Sequence, residues 1–265
     1  METNNNQWLD LSGKTALVTG GTKGIGHAIA QRLAQAGARV IVSARTQPTD
    51  GEAGQHFIAA DLTKANDVAR LAQQITEQYG GIDILINNVG GLTTPSGGHS
   101  VLTDAHWEQE LQLNLLSAIR LDRTLLPQML QKKNGVIIHI SSVAGKQPLW
   151  DLNMAYAVSK AALNSYSKAL ATELATQGVR VLTVAPGATK TPMMEGFIRE
   201  FAASQGLSYQ DGLAQLLAQI GGIPMGRMAE PDEVAALVHF LVSPSAAYLT
   251  GSIHAIDGGS LPVAS

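Results

Sequence analysis

Tyr156 and Lys160 stand four residues apart in a stretch of helical periodicity, which puts a phenol and an ammonium on one helix face. Of the five tyrosines in the chain, only this one has a lysine at that offset. A phenol with a pKa of about 10 is a poor acid–base group at neutral pH, but an adjacent ammonium favours the phenolate and lowers that value. The pair therefore predicts a proton shuttle. Upstream, Ser141 and Ser142 follow an apolar run that reads as a strand, at the carboxyl edge where open α/β sheets bind ligands. A serine hydroxyl there can polarise a carbonyl oxygen, or can simply satisfy turn amides.

A second set of residues points to an anion. The first apolar strand runs into Thr19, Gly20, Gly21, Thr22, Lys23, Gly24, Ile25 and Gly26, with a helix following at once. Glycines at 20, 24 and 26 let the backbone turn tightly and approach a pyrophosphate, and the helix N-terminus receives its charge. A glycine loop alone is also an ordinary strand–helix turn. At the end of the second strand, where an acid would bond the ribose hydroxyls of NAD, the chain has Ala44 followed by Arg45. Arg45 and Lys23 could meet at a 2'-phosphate, which favours NADP over NAD; their plainer reading is two solvated cations. Asp61, with Leu62 beside it, follows the third strand, where it could meet the adenine amino group, cap the helix near Lys64, or do both.

These residues need a scaffold. Strands are expected at 15–19, 39–43, 57–60, 82–86, 136–140, 179–184 and 253–256, and helices near 25–36, 64–79, 104–131, 154–177 and 231–242. The alternation implies parallel pairing with right-handed crossovers, hence one α/β domain over 1–265: a doubly wound, Rossmann-type sheet of about seven strands with helices on both faces. One segment, 190–228, breaks the rhythm. It has no strand and carries Met193, Met194, Phe197, Ile198 and Phe201, so it is read as a lid over the site. With Leu149 and Trp150 it suggests an apolar or aromatic substrate, although such stripes also serve as core or subunit interface.

The totals exclude several classes. The chain has 265 residues, 45% of them apolar, with a net charge of −3 and no cysteine. Dispersed cations predict neither a nucleic-acid nor a membrane partner, and the missing thiols exclude disulfides and thiolate metal sites. The seven histidines fall into no metal-ligand spacing, so no metal is expected in catalysis. The polar amino terminus and the lack of a long apolar run suggest a cytoplasmic protein.

Taken together, the glycine loop from Thr19 to Gly26, Asn87-Asn88-Val89-Gly90, Asn114, Ser142, Tyr156 with Lys160, Pro186-Gly187 and the final Ile256-Asp257-Gly258-Gly259 resemble the short-chain dehydrogenase/reductase family over nearly the whole chain. Val89 departs from the family's usual alanine by a small change in bulk. The resemblance implies that Tyr156 is the general acid in reduction, with Lys160 lowering its pKa and holding the nicotinamide ribose. Ser142 would steady the substrate oxygen, and Asn114 would anchor a water linking Lys160 to solvent. Asn88 and Gly90 would pass the adenosine ribose, and Pro186, Gly187, Thr189 and Thr191 would contact the nicotinamide amide and phosphates. It implies a homotetramer and hydride transfer on a small carbonyl or alcohol; because cells keep NADPH reduced, the NADP preference read from Lys23 and Arg45 makes NADPH-dependent reduction of a ketone or aldehyde the expected direction. One branch reduces 3-oxoacyl groups on acyl carrier protein, for which Lys132 and Lys133 could dock the carrier; Gln177 stands where a second docking arginine would align. A non-catalytic NADPH sensor or scaffold would be expected to have lost Tyr156 or Lys160, and a sugar-nucleotide epimerase would need a larger C-terminal portion.

Overall fold

The computed structural model describes residues 9–47 and 55–262; the polar amino-terminal residues lie outside them. Seven strands, β1 (Thr15–Thr19), β2 (Arg39–Ala44), β3 (Gln55–Ala59), β4 (Ile84–Asn87), β5 (Gly135–Ile140), β6 (Val179–Pro186) and β7 (Ile253–Ile256), form one sheet. Its order is β3-β2-β1-β4-β5-β6-β7 and every pairing is parallel. The expected strands are all present, with ends shifted by at most two residues. The order reverses between β1 and β4, which opens a crevice at their carboxyl ends.

Alternation along each strand divides the core in two. Ala16, Val18, Val40, Val42, Ile84 and Ile86 face α1 (Gly24–Gln35) and α8 (Pro231–Val242). Their neighbours Leu17, Ile41, Leu85 and Ile137 face α2 (Ala65–Tyr79), α4 (Ser117–Lys132) and α5 (Met154–Leu174). Double burial is why these strands read as unbroken apolar runs. Each fully buried Leu or Ile adds about 1.5–3 kcal/mol over exposure, so the layers hold the strand ends, and the site on them, in place. One polar string crosses the second layer: Asn87 Nδ2 donates to Asp122 at 2.6 Å, His139 Nε2 lies 2.8 Å from Asp122, and His139 Nδ1 lies 3.0 Å from Ser167 Oγ.

Two departures from expectation bear on the site. The helix expected over 104–131 is three pieces: α3 (Asp104–Leu111), a π-helical turn (Gln112–Leu116) and α4. The break has a polar cause, since Asn114 Nδ2 bonds the Glu110 carbonyl at 3.2 Å and Ser117 Oγ bonds that of Leu113 at 2.6 Å. The strandless segment folds as α6 (Pro192–Ser204) and α7 (Tyr209–Gln219), joined in a third apolar cluster around Leu152, Ile198, Leu216 and Met228.

Candidate active site

The glycine loop is fixed by hydrogen bonds across the switch point. Thr19 Oγ1 accepts from the Asn88 and Val89 amides at 2.9 and 3.1 Å, and Asn88 Nδ2 donates to the Thr19 carbonyl at 2.9 Å. Gly20 and Gly24 have positive φ, 62° and 58°. A Cβ on Gly26 would overlap the Gly20 carbonyl, so only glycine lets α1 pack this close to β1. No side chain caps α1 and its first turn has no acid, so its leading amides are left to face an anion. Lys23 and Arg45 are exposed on the rim of the same cavity, and among the described residues neither is in an ion pair. This backbone cradle with two cations fits a dinucleotide carrying an extra phosphate.

Asp61 corrects one expectation. Its carboxylate accepts from the Thr63 amide and hydroxyl at 3.1 and 2.7 Å and pairs with Lys64 at 3.6 Å, while α2 starts after Lys64 without a side-chain cap. Asp61 thus closes the turn before α2 rather than capping that helix. Those hydrogen bonds and Lys64 hold its carboxyl below the usual range against the cost of burial.

The expected proton-transfer residues do converge. Ser142, Tyr156 and Lys160 line the cavity that the loop opens, and Asn114 lies buried behind it. Lys160 is 2% exposed; its Nζ donates to the Ile140 carbonyl at 2.9 Å and lies 5.7 Å from the centroid of the Tyr156 ring. A Cβ on Gly90 would come 2.7 Å from Asn114 Oδ1 and 2.9 Å from Lys160 Nζ, so both polar atoms face one small residue. Ser142 Oγ accepts from the Ala144 amide at 3.1 Å, and its hydroxyl favours the Tyr156 phenolate. Ser141, by contrast, is buried and ties β5 to α5 through the Lys160 carbonyl, a structural role.

The electrostatics reverse one expectation. Burial pushes the Tyr156 phenol up to about 12, opposed by the Ser142 hydroxyl and reinforced by the Glu110 carboxylate. Burial also lowers the Lys160 ammonium to about 8, with Glu110 working against that fall. Desolvation of the phenol outweighs the pull of the Lys160 ammonium, whose Nζ stands 5.7 Å from the ring centroid.

The remaining expected positions mostly line the cavity, which measures about 820 Å³. Gly20, Thr22, Ile25, Leu62, Asn88, Pro186, Gly187, Thr189 and Thr191 are in its wall. Thr191 also caps α6 by accepting from the Met194 amide at 3.1 Å. Met193, Met194, Phe197, Ile198, Leu213 and Leu217 supply the far wall, with Leu149. Two apolar candidates are elsewhere. Trp150 is exposed and lies over Gly98, and Phe201 packs within the cap cluster. Lys132 ends α4 and Lys133 caps it, leading into the amino end of β5, opposite the crevice at the carboxyl ends, with Lys132 3.9 Å from Asp83. No group of three or more His, Asp or Glu side chains placed to hold a metal occurs among the described residues, and no described helix is long and apolar enough to cross a membrane.

Sequence reasoning missed Glu110. It is fully buried, and its Oε2 accepts from Asn114 Nδ2 at 2.6 Å while Oε1 accepts from the Thr93 and Thr94 amides at 2.6 and 3.0 Å. The signal was its offset of one helical turn from Asn114, which shares a face.

A doubly wound sheet with a dinucleotide cradle at its switch point and a Ser–Tyr–Lys cluster beside it defines an oxidoreductase crevice. The chain belongs to the short-chain dehydrogenases, whose family model matches residues 14–200. It is 35% identical over 259 residues to the 3-oxoacyl-(acyl-carrier-protein) reductase of Vibrio cholerae, covering 95% of this chain and 98% of that protein. The acetoacetyl-CoA reductase of Allochromatium vinosum is also 35% identical, with 93% and 98% covered. Among solved structures, L-sorbose reductase from Gluconobacter frateurii, complexed with NADPH and L-sorbose, superposes with a TM-score of 0.88 at 32% identity, covering 97% of this chain and all of that one.

Proposed function

We propose that the protein reduces a ketone or aldehyde to an alcohol with NADPH, and that Tyr156 supplies the proton. The observation that carries this reading is the convergence of Ser142, Tyr156 and Lys160 in one cavity that runs from the glycine loop to an apolar wall. When bound, the nicotinamide supplies the hydride. The chain's own residues do the rest. Gly20, Thr22, Gly24, Ile25 and Gly26 seat the pyrophosphate against the α1 amides, and Lys23 and Arg45 take the 2'-phosphate. Asp61, Leu62, Asn88 and Gly90 flank the adenosine; Pro186, Gly187, Thr189 and Thr191 hold the nicotinamide end. Ser142 orients the substrate oxygen by donating a hydrogen bond to it, and Tyr156 gives it the proton. Lys160 holds the nicotinamide ribose and stabilises the phenolate that results, and Asn114 anchors the route by which the proton is resupplied. Raised to about 12 by burial, the Tyr156 phenol holds its proton at neutral pH, as the donor in a reduction must. NADPH use is supported by the sorbose reductase solved with it.

The substrate we favour is a free, largely apolar ketone, because Met194, Phe197, Leu213 and Leu217 offer nothing to a polyol. Residues 190–228 act as its lid. A 3-oxoacyl thioester is the second reading, favoured by the two reductase relatives at 35% identity. We place the enzyme in the cytoplasm, and as a homotetramer, the latter supported by the exposed apolar residues Val158 on α5, Phe240 on α8 and Tyr248 beyond it. The test is NADPH and NADH oxidation with aromatic ketones, β-keto esters, diketones and acetoacetyl-CoA. Turnover with NADPH on the free ketones is the expected result. Turnover on the thioester alone would select the second reading, and none on any would reject both.

A further inference from the structure

Glu110 is a carboxylate with no exposure, and burying a charge costs several kcal/mol unless something nearby repays it. Its hydrogen bonds to the Thr93 and Thr94 amides and to Asn114 Nδ2 satisfy its oxygens, but a neutral acceptor could do the same for the loop. What requires the charge lies one side chain away. Lys160 is equally enclosed, its ammonium has one hydrogen bond, to a neutral carbonyl, and it forms no ion pair among the described residues. Asn114 joins the two: its Nδ2 is on Glu110 while its Oδ1 faces Gly90 beside Lys160 Nζ and accepts from the Gly91 amide at 2.9 Å. Facing Lys160 are Tyr156 on its own helix, the Ile140 carbonyl from β5 and neutral Asn114 from the π-turn, with the Glu110 carboxylate from α3 behind Asn114. Glu110 supplies the negative charge.

We propose that Glu110 is a positioning residue of the proton-transfer site: its carboxylate fixes the Asn114 amide and provides the counter-charge that keeps Lys160 an ammonium. The same carboxylate holds Thr93, which lines the substrate cavity, so the relay and the cavity wall share one anchor. Glu110 touches neither substrate nor cofactor and acts through Asn114 and Lys160. The inference rests on the reductase reading only for its kinetic consequence.

The experiment follows Lys160 in the protein with carbon-13-labelled lysine, titrated by NMR and assigned through Lys160→Arg, beside the pH profile of kcat/KM with NADPH and the best ketone of the panel. The wild-type midpoint is expected at about 8. In Glu110→Gln it is expected to fall by about one pH unit, the effect of removing one nearby opposite charge, and the alkaline limb of the profile should move with it. Glu110→Asp keeps the charge but sets it back by a methylene, and should titrate between the two. A midpoint unchanged in Glu110→Gln, with activity lowered equally at all pH, would overturn the proposal and leave a structural residue. If the Gln protein does not fold, Glu110→Asp decides: a lowered midpoint supports the proposal and an unmoved one overturns it. Because the titration needs no turnover, failure on every ketone would count against the reductase reading and not against this one.

Discussion

Around Gly20, Gly24 and Gly26 the cavity wall is main chain, placed by a strand end, two positive-φ glycines and the Asn88 amide. Around Met194, Phe197 and Leu213 it is side chain, carried on two helices that pack on a small cluster of their own. The first wall tolerates almost no change of residue but hardly specifies more than a phosphate. The second can be refilled by any apolar residues of similar volume, and its shape chooses the substrate. One cavity thus joins a part fixed by covalent geometry to a part fixed by packing.

The contrast can be broken most severely at Gly26. Gly26→Val forces a side chain into the Gly20 carbonyl and should abolish saturable NADPH binding, measured by fluorescence titration, while costing about 1–3 kcal/mol of stability from overpacking. Retained binding would show that the loop is not the cradle. Next in size is Arg45→Ala. Losing its charge-assisted bonds should lower the NADPH-to-NADH selectivity in kcat/KM by about 10- to 100-fold, and an unchanged ratio would reject the 2'-phosphate site.

A pH profile sharpens the boundary between the walls, where Lys160 lies. Its ammonium is present below about 8 and lost as pH rises through that value, while Tyr156 stays protonated up to about 12. The reductive kcat/KM should be flat below the first value and fall about tenfold per pH unit above it. A profile that rises with pH over that range would contradict the assignment. Phe197→Ala should do least: KM for an aromatic ketone up by about tenfold or less, with NADPH affinity unmoved, since it trims only the packed wall. A matching loss of NADPH affinity would mean the two walls are not independent.

The same contrast explains what the sequence revealed. Glycine spacing, the strand end at Thr19 and the offset of Tyr156 from Lys160 are local patterns, so the loop and the shuttle pair were legible directly. The seven strands were too, because burial on both faces leaves apolar runs. The π-turn at Gln112–Leu116 was not, since it depends on Asn114 reaching Glu110 and Gly91 across the site. Nor was the direction of the Tyr156 shift, which is set by how far the phenol is desolvated and not by its neighbour in sequence. The apolar residues of 190–228 were visible, but only packing separates Phe197 in the cavity wall from Phe201 and Trp150 outside it.

The most direct test of the central claim compares turnover and cofactor binding in Tyr156→Phe. Removing one hydroxyl should leave NADPH affinity within about threefold of wild type while lowering kcat for ketone reduction by about 10²- to 10⁴-fold, the usual contribution of a positioned proton donor. Turnover within a few-fold of wild type would contradict the account, because the proton would then come from elsewhere.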